Sequence, residues 1–228
     1  MTLLVATGLR REAKILTGAG LVIVAGGGRS ETLEQALAAV AGQCSGVVSL
    51  GVAGALAEGL GPGDWVVADG VLVEGRTMAV HAPWRDMLAA RLPAAKPGLL
   101  LGSDLMLTKA ADKRRACDAT GAIAVDMESH VAARVARRFG LPFAAARVIS
   151  DAAGRTLPPA VSVGMRPDGG MALGPVLAAL ARDPRQLPGL IRTGLEAGAA
   201  FRALGRAHRL LGPGLGLVDI LEHPLDVG

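Results

Sequence analysis

The feature that most constrains this chain is an alternation of short apolar runs with longer stretches rich in alanine and leucine. Leu3-Leu4-Val5-Ala6, Leu21-Val22-Ile23-Val24-Ala25, Gly46-Val47-Val48-Ser49-Leu50, Asp64-Trp65-Val66-Val67-Ala68, Leu99-Leu100-Leu101 and residues 143–149 have the length and β-branched content of strands. Helical patterns lie between and after them: residues 10–16, a segment with Ser30 as its N-cap, 126–138 closed by Gly140 and Pro142, and two stretches near 172–182 and 186–211. Strands without polar alternation are covered on both faces, which is the signature of a sheet sandwiched by helices. The expected fold is therefore α/β and three-layered, with a mixed, mostly parallel central sheet flanked by helices. Pro158-Pro159 and Pro167-Asp168-Gly169-Gly170 mark loops. With no repeat or linker, residues 1–228 read as one domain.

Composition narrows the function. Apolar residues make up 51% and charged residues 19%, enough for a large core and against disorder. Aromatics are 2%, and the arginines behind the net charge of +4 are scattered. A chain so poor in stacking side chains, without a basic run, is not expected to bind nucleic acid. Cys44 and Cys117 lie far apart and give no metal spacing or disulfide framework, so both read as core residues in a reducing, cytoplasmic setting. No metal or resident cofactor is expected. Arg10, Arg11 and Glu12 interrupt the N-terminal apolar stretch, so no signal peptide is expected. No apolar run approaches the roughly 20 residues of a membrane span.

In open α/β sheets, ligands bind beyond the carboxyl ends of the strands. Residues 8–12, 26–30 and 51–54, Ser103-Asp104 and Ser150-Asp151 all fall at such ends. Arg10 and Arg11 occupy a first helical turn, where the dipole disfavours cations, so they either hold an anion or point into water. Gly26-Gly27-Gly28-Arg29-Ser30 is either a phosphate-holding backbone nest or a tight turn; it is neither GxGxxG nor a P-loop. Glu128 follows the apolar run 122–125. It is either an ordinary acid in a first helical turn or a carboxylate carried inward, where sugar hydroxyls would be suitable donors.

Four segments in order carry a resemblance: Val48-Ser49-Leu50-Gly51-Val52-Ala53-Gly54-Ala55-Leu56, Gly63-Asp64-Trp65-Val66-Val67, Val125-Asp126-Met127-Glu128 and Arg147-Val148-Ile149-Ser150-Asp151. The chain resembles the nucleoside phosphorylase and nucleosidase superfamily from Leu3 to about Arg155. The tail, from Arg155-Thr156-Leu157-Pro158-Pro159 to Arg209-Leu210-Leu211-Gly212, is similar to the hopanoid-associated phosphorylase branch, which is thought to release adenine from adenosylhopane.

The resemblance implies a role for each matching residue. Asp151 would be the acid that protonates purine N7, and Glu12 would activate water. Glu128 would bind the ribose hydroxyls, Met127 would pack under the sugar, and Arg147 would steady the site. Met106, Leu107 and Ser150 fall where the base is held. Many phosphorylases carry an arginine and a serine for phosphate after the third strand, where this chain has Ser49 and Val52. Phosphate, as a candidate co-substrate, would then rely on Gly8, Arg10, Arg11, Gly27, Gly28 and Arg29. The implied partner is a small nucleoside, free or lipid-linked, handled by a bacterial cytoplasmic homo-oligomer with peripheral membrane contact. The runner-up is a methylthioadenosine/S-adenosylhomocysteine nucleosidase or a general purine nucleoside phosphorylase. An apolar mouth at the ribose 5′ side is expected near Met78, Trp84 and Met87. Burial at the end of an apolar strand would keep Asp151 protonated, and Arg147, if close, would oppose this.

Overall fold

The computed structural model describes residues 1–164, 170 and 172–217. Its strands are β1 (Leu3–Thr7), β2 (Leu21–Ala25), β3 (Gly46–Ala55), β4 (Trp65–Val73), β5 (Arg76–Ala79), β6 (Lys96–Gly102), β7 (Ala124–Asp126) and β8 (Phe143–Asp151). Its α-helices are α1 (Arg10–Ile15), α2 (Ser30–Ala41), α3 (Ala82–Arg91), α4 (Ala110–Thr120), α5 (Ser129–Phe139), α6 (Pro159–Gly164), α7 (Leu173–Arg182) and α8 (Leu187–Leu211).

The eight strands form one mixed sheet in the order β2-β1-β3-β7-β6-β4-β5, with β8 bridging β3 and β4. Five of the pairings are parallel; β3 with β7, β4 with β5 and β4 with β8 are antiparallel. Following the pairs β3-β7-β6-β4-β8 and back to β3 closes a ring, so half of the sheet curls on itself. The layers are those expected. One core cluster joins the sheet to Leu33 and Leu37 of α2 and Val131 and Val135 of α5. The other joins its opposite face to Trp84 and Leu88 of α3 and Ala203, Leu204 and Ala207 of α8. Among the described residues, no helix is long and apolar enough to cross a membrane.

Two boundaries near the strand ends differ from expectation. The run at 46–50 continues as strand to Ala55, because β8 pairs with β3 almost to its end. The helix expected from residue 126 begins at Ser129, because Asp126 completes β7 and turns its side chain back as a cap. Asp126 Oδ1 accepts the N–H groups of Glu128 (2.8 Å) and Ser129 (2.6 Å). The short β5 and helices α3 and α4 were not anticipated. Gly140 does close α5, at φ 65°. The loop expected at 167–170 lies, except for Gly170, outside the described residues.

Candidate active site

β3 has two partners on one edge at successive levels. β1 pairs with it up to Ser49, and β7 takes over at Gly54. Between them Val52 has no strand partner on that edge, and side chains satisfy its backbone. Its N–H donates to Glu12 Oε1 (2.6 Å), and its carbonyl accepts from Arg147 Nη1 (3.4 Å). An unpaired buried peptide group is costly, so this gap demands an acid and a base side by side.

Glu12 is fully buried. It stands in the first turn of α1 and reaches back, as a third-position Glu does, so that Oε2 accepts the Leu9 N–H (2.5 Å) and the Thr7 hydroxyl (2.7 Å). Three of its roughly four acceptor sites are thus occupied, and one remains.

Arg147 is fully buried on β8. Its guanidinium meets Asp126 Oδ1 at 2.9 Å and Glu128 Oε2 at 3.3 Å, and it donates to the hydroxyls of Ser49 and Ser129. Ser49 therefore serves the arginine. Gly8 and Gly51 make room for these groups. A Cβ on Gly8 would stand 2.9 Å from Glu128 Oε1, and one on Gly51 would stand 2.7 Å from both Arg147 Nη1 and Glu12 Oε1. Burial is the largest influence on the Glu128 carboxyl. Arg147 opposes it, Asp126 and Glu12 reinforce it, and the net result is a pKa raised from 4.5 to about 8.

Asp151 ends β8 across a β-bulge that pairs it with Gly54. Its cation is not Arg147 but Lys113 of α4, whose Nζ contacts Oδ2. The opposing cation weighed from the sequence is thus corrected from Arg147 to Lys113: the carboxyl is buried, and an ammonium faces it. Ser150 Oγ lies 2.7 Å from Asp151 Oδ1 and 3.1 Å from the Ala53 carbonyl.

These strand ends open into one cavity of about 700 Å³. Its lining includes Gly8, Arg10, Arg11, Glu12, Met106, Leu107, Met127, Glu128, Ser150 and Asp151, so most of the expected site residues are brought together. Arg147 is set behind Glu128 and does not line the cavity. Gly27, Gly28 and Arg29 do not line it either. The N–H groups of Gly27 and Arg29 are bonded to the carbonyls of Gly8 (2.9 Å) and Gly26 (3.2 Å), so this turn spends two of its donors on its own backbone. Arg11 stacks on the Phe201 ring, 4.3 Å from its centroid. Ser30 and His130 close on Asp104 as a separate cluster; the Ser30 hydrogen bond, then that of His130, draws its carboxyl below the usual range.

The apolar mouth is not where it was expected. Trp84 is fully buried with its indole N–H on the Leu215 carbonyl (3.0 Å), and Met78 and Met87 pack against the two main core clusters. The apolar wall comes instead from Leu157, Ala160, Val176, Leu190, Ala197 and Phe201, on and around α6, α7 and α8. Lys113 and this wall escaped the sequence. Within α4, only the shared helical face of Lys113 with the half-buried Ala116 and Cys117 hints that residue 113 turns inward.

The sequence profile of the Phosphorylase superfamily matches residues 11–163. No curated protein matches the chain. Among solved structures, it is similar to the 5′-methylthioadenosine/S-adenosylhomocysteine nucleosidase of Helicobacter pylori, at 14% identity and TM-score 0.64, over 92% of this chain and 96% of that one. The futalosine hydrolase of the same organism aligns at 14% identity and TM-score 0.62, over 92% and 95%. The methylthioadenosine/S-adenosylhomocysteine nucleosidase of Colwellia psychrerythraea, solved with adenine, aligns at 19% identity and TM-score 0.61, over 88% and 96%. At these identities the likeness is one of fold.

Proposed function

Because the chain belongs to the phosphorylase superfamily, we propose that it cleaves the N-glycosidic bond of a 5′-substituted adenosine and releases adenine. The observation that carries this reading is the convergence of Asp151, Glu128 and Glu12, from three different strand ends, on one cavity with an apolar wall. Asp151 gives a proton to N7 of the base while the C1′–N9 electron pair passes into the purine. The base is a poor leaving group without that proton, and a positioned acid is worth about 10²–10⁴-fold. Glu128, with its carboxyl raised to about 8, can donate to one ribose hydroxyl and accept from another. Positive charge growing on the sugar favours its ionised form, so its stabilising effect increases toward the transition state.

Water completes the reaction in this scheme, giving up its proton to Glu12 through the one acceptor site its neighbours leave open. Phosphorolysis is the second reading, supported by Arg10, Arg11 and Lys14 of α1 along the same cavity. A bulky apolar 5′ group is supported by the wall from α6 to α8, which favours adenosylhopane, and so a role in hopanoid side-chain synthesis, over the compact methylthioadenosine. The likeness in fold to methylthioadenosine/S-adenosylhomocysteine nucleosidases keeps that activity as the alternative. Leu187, Ile191 and Leu195 repeat every fourth residue and are exposed on α8, which supports a contact with a membrane surface or a second subunit there.

Base release from adenosylhopane, methylthioadenosine and inosine, each with and without phosphate, tests all of this. Adenine release from adenosylhopane without phosphate is the expected result. No release from any of the three would overturn the enzymatic reading, and release only with phosphate would replace hydrolysis by phosphorolysis.

A further inference from the structure

Lys113 has no part in the scheme above. It stands in a run of charged residues in α4, yet its side chain is fully buried. Nζ contacts Asp151 Oδ2 and lies 3.1 Å from the carbonyls of Ala152 and of Arg155. An ammonium carries three donors and no acceptor, and here three acceptors take all three. Burying a cation is costly unless it is paired and fully hydrogen-bonded, and Lys113 meets both conditions.

Ser150 completes the arrangement on the other oxygen. Its single proton has two acceptors in reach, Asp151 Oδ1 and the Ala53 carbonyl. Turned to Oδ1, the hydroxyl supports a carboxylate. Turned to the carbonyl, which only accepts, it offers a lone pair to a proton on Oδ1. The reacting proton can therefore sit on Oδ1 while Oδ2 remains with Lys113.

We propose that Lys113 is a positioning residue for glycosidic cleavage, acting through Asp151. It fixes Oδ2, ties the loop 152–155 to the end of β8, and balances the charge left on Asp151 when its proton leaves. In that step the Oδ1–H bond breaks, the N7–H bond forms, and the C1′–N9 pair goes to the base. Lys113 stays an ammonium throughout and transfers nothing. The inference rests on the proposed function. Among the described residues, Lys113 of α4 is the charged group in contact with Asp151; Glu12, Asp126, Glu128 and the cations of α1 line the same cavity.

The test uses Lys113→Met, Lys113→Arg and the double variant Lys113→Met/Asp151→Asn, on whichever of the three nucleosides the wild type cleaves. Thermal melts check folding, and the double variant removes both charges, so it does not strand one in the interior. In Lys113→Met, kcat should fall about 10–100-fold with KM nearly unchanged. The alkaline limb of its pH profile should move up, because a cation beside the acid favours the charge that the acid acquires and the variant lacks it. Lys113→Arg should restore the wild-type limb. The double variant should be no slower than Asp151→Asn alone, since a residue acting through Asp151 has nothing left to act on. A cleaving wild type with an unmoved limb in Lys113→Met, or losses that multiply in the double variant, overturns this inference alone. A wild type that releases no base overturns the proposed function and this inference together.

Discussion

Glu128 and Asp151 are each 6% exposed and line the same cavity, yet their charged neighbours differ. Glu128 has Arg147 at 3.3 Å, but that guanidinium also serves Asp126 at 2.9 Å, and Glu12 adds a further negative charge nearby. One cation among three carboxylates does not offset burial, and the Glu128 carboxyl rises to about 8. Asp151 has an ammonium that, among the described residues, contacts no other carboxylate. The contrast teaches that two equally buried carboxyls can have different electrostatic surroundings, set by how many carboxylates share each buried cation. It also separates the roles. The carboxyl at the sugar can remain neutral until charge develops, while the one at the base has a cation ready for the charge it acquires.

The strongest way to break this contrast is at Asp151. Asp151→Asn removes the proton donor and should lower kcat about 10²–10⁴-fold. It also exchanges the acceptor that faces the buried Lys113 ammonium for an amide, so some loss of stability is expected beside the loss of rate. Activity assays paired with denaturant melts separate the two effects. An Asn variant that keeps full activity on a cleaved purine nucleoside removes Asp151 as the acid.

Glu128→Gln sharpens the other half. Native Glu128 keeps its proton up to about 8, whereas the unfolded chain releases it near 4.5. The folded protein thus holds the extra proton in this window. Its contribution to stability is full below about 4.5 and is lost as pH rises through about 8. Glutamine titrates nowhere, so the variant should gain on the wild type as pH rises across the window. The window spans about 3.5 units and one unit is about 1.4 kcal/mol, so the gain should be on the order of 5 kcal/mol. Urea melts at both ends of the window measure it, and parallel stability curves would mean that Glu128 is ionised in the empty site.

A smaller effect is expected at Gly8. A methyl group there would press on Glu128 Oε1 from 2.9 Å. Gly8→Ala should displace that carboxyl and cost about 1–3 kcal/mol of stability, as overpacking does, with a matching loss in kcat/KM. Unchanged nucleoside kinetics would show that the position of Glu128 is uncritical.

What was legible in the sequence follows the reach of each interaction. β1, β2, β3, β4 and β8 each carry a long apolar run and stood out, as did the run 122–125 before Glu128, and with them the strand ends that carry Asp151 and Glu128. The demand for Glu12 and Arg147 at Val52 was not legible, because it arises where β1 gives way to β7 on the edge of β3, and strand pairing is not local. Lys113 was hidden by its neighbours: a helix reading ADKRRACDAT looks solvated until packing selects a face. Met78, Trp84 and Met87 were assigned to the mouth because large apolar side chains announce burial without saying where. The turn at 26–29 looked like an anion nest because glycine spacing does not reveal that two of its N–H groups are already bonded.

The apolar wall supplies the mildest and most selective prediction, because it lies apart from both carboxyls in sequence. Leu190 of α8 lines the cavity and is partly buried, so Leu190→Asn should leave the fold intact while placing an amide where a 5′ substituent would lie. Burying an apolar side chain is worth about 1.5–3 kcal/mol, and a substrate that covers only part of this one should lose about 1.4 kcal/mol, a tenfold rise in KM. That rise should appear with a long apolar 5′ group and be absent with plain adenosine, while kcat stays constant for both. The control is Met78→Ala, which alters a side chain packed in the core and should leave the ratio of the two KM values unchanged. Equal effects of Leu190→Asn on both substrates would place the 5′ group elsewhere in the cavity. A change in the KM ratio with Met78→Ala would return the mouth to the position first expected from the sequence.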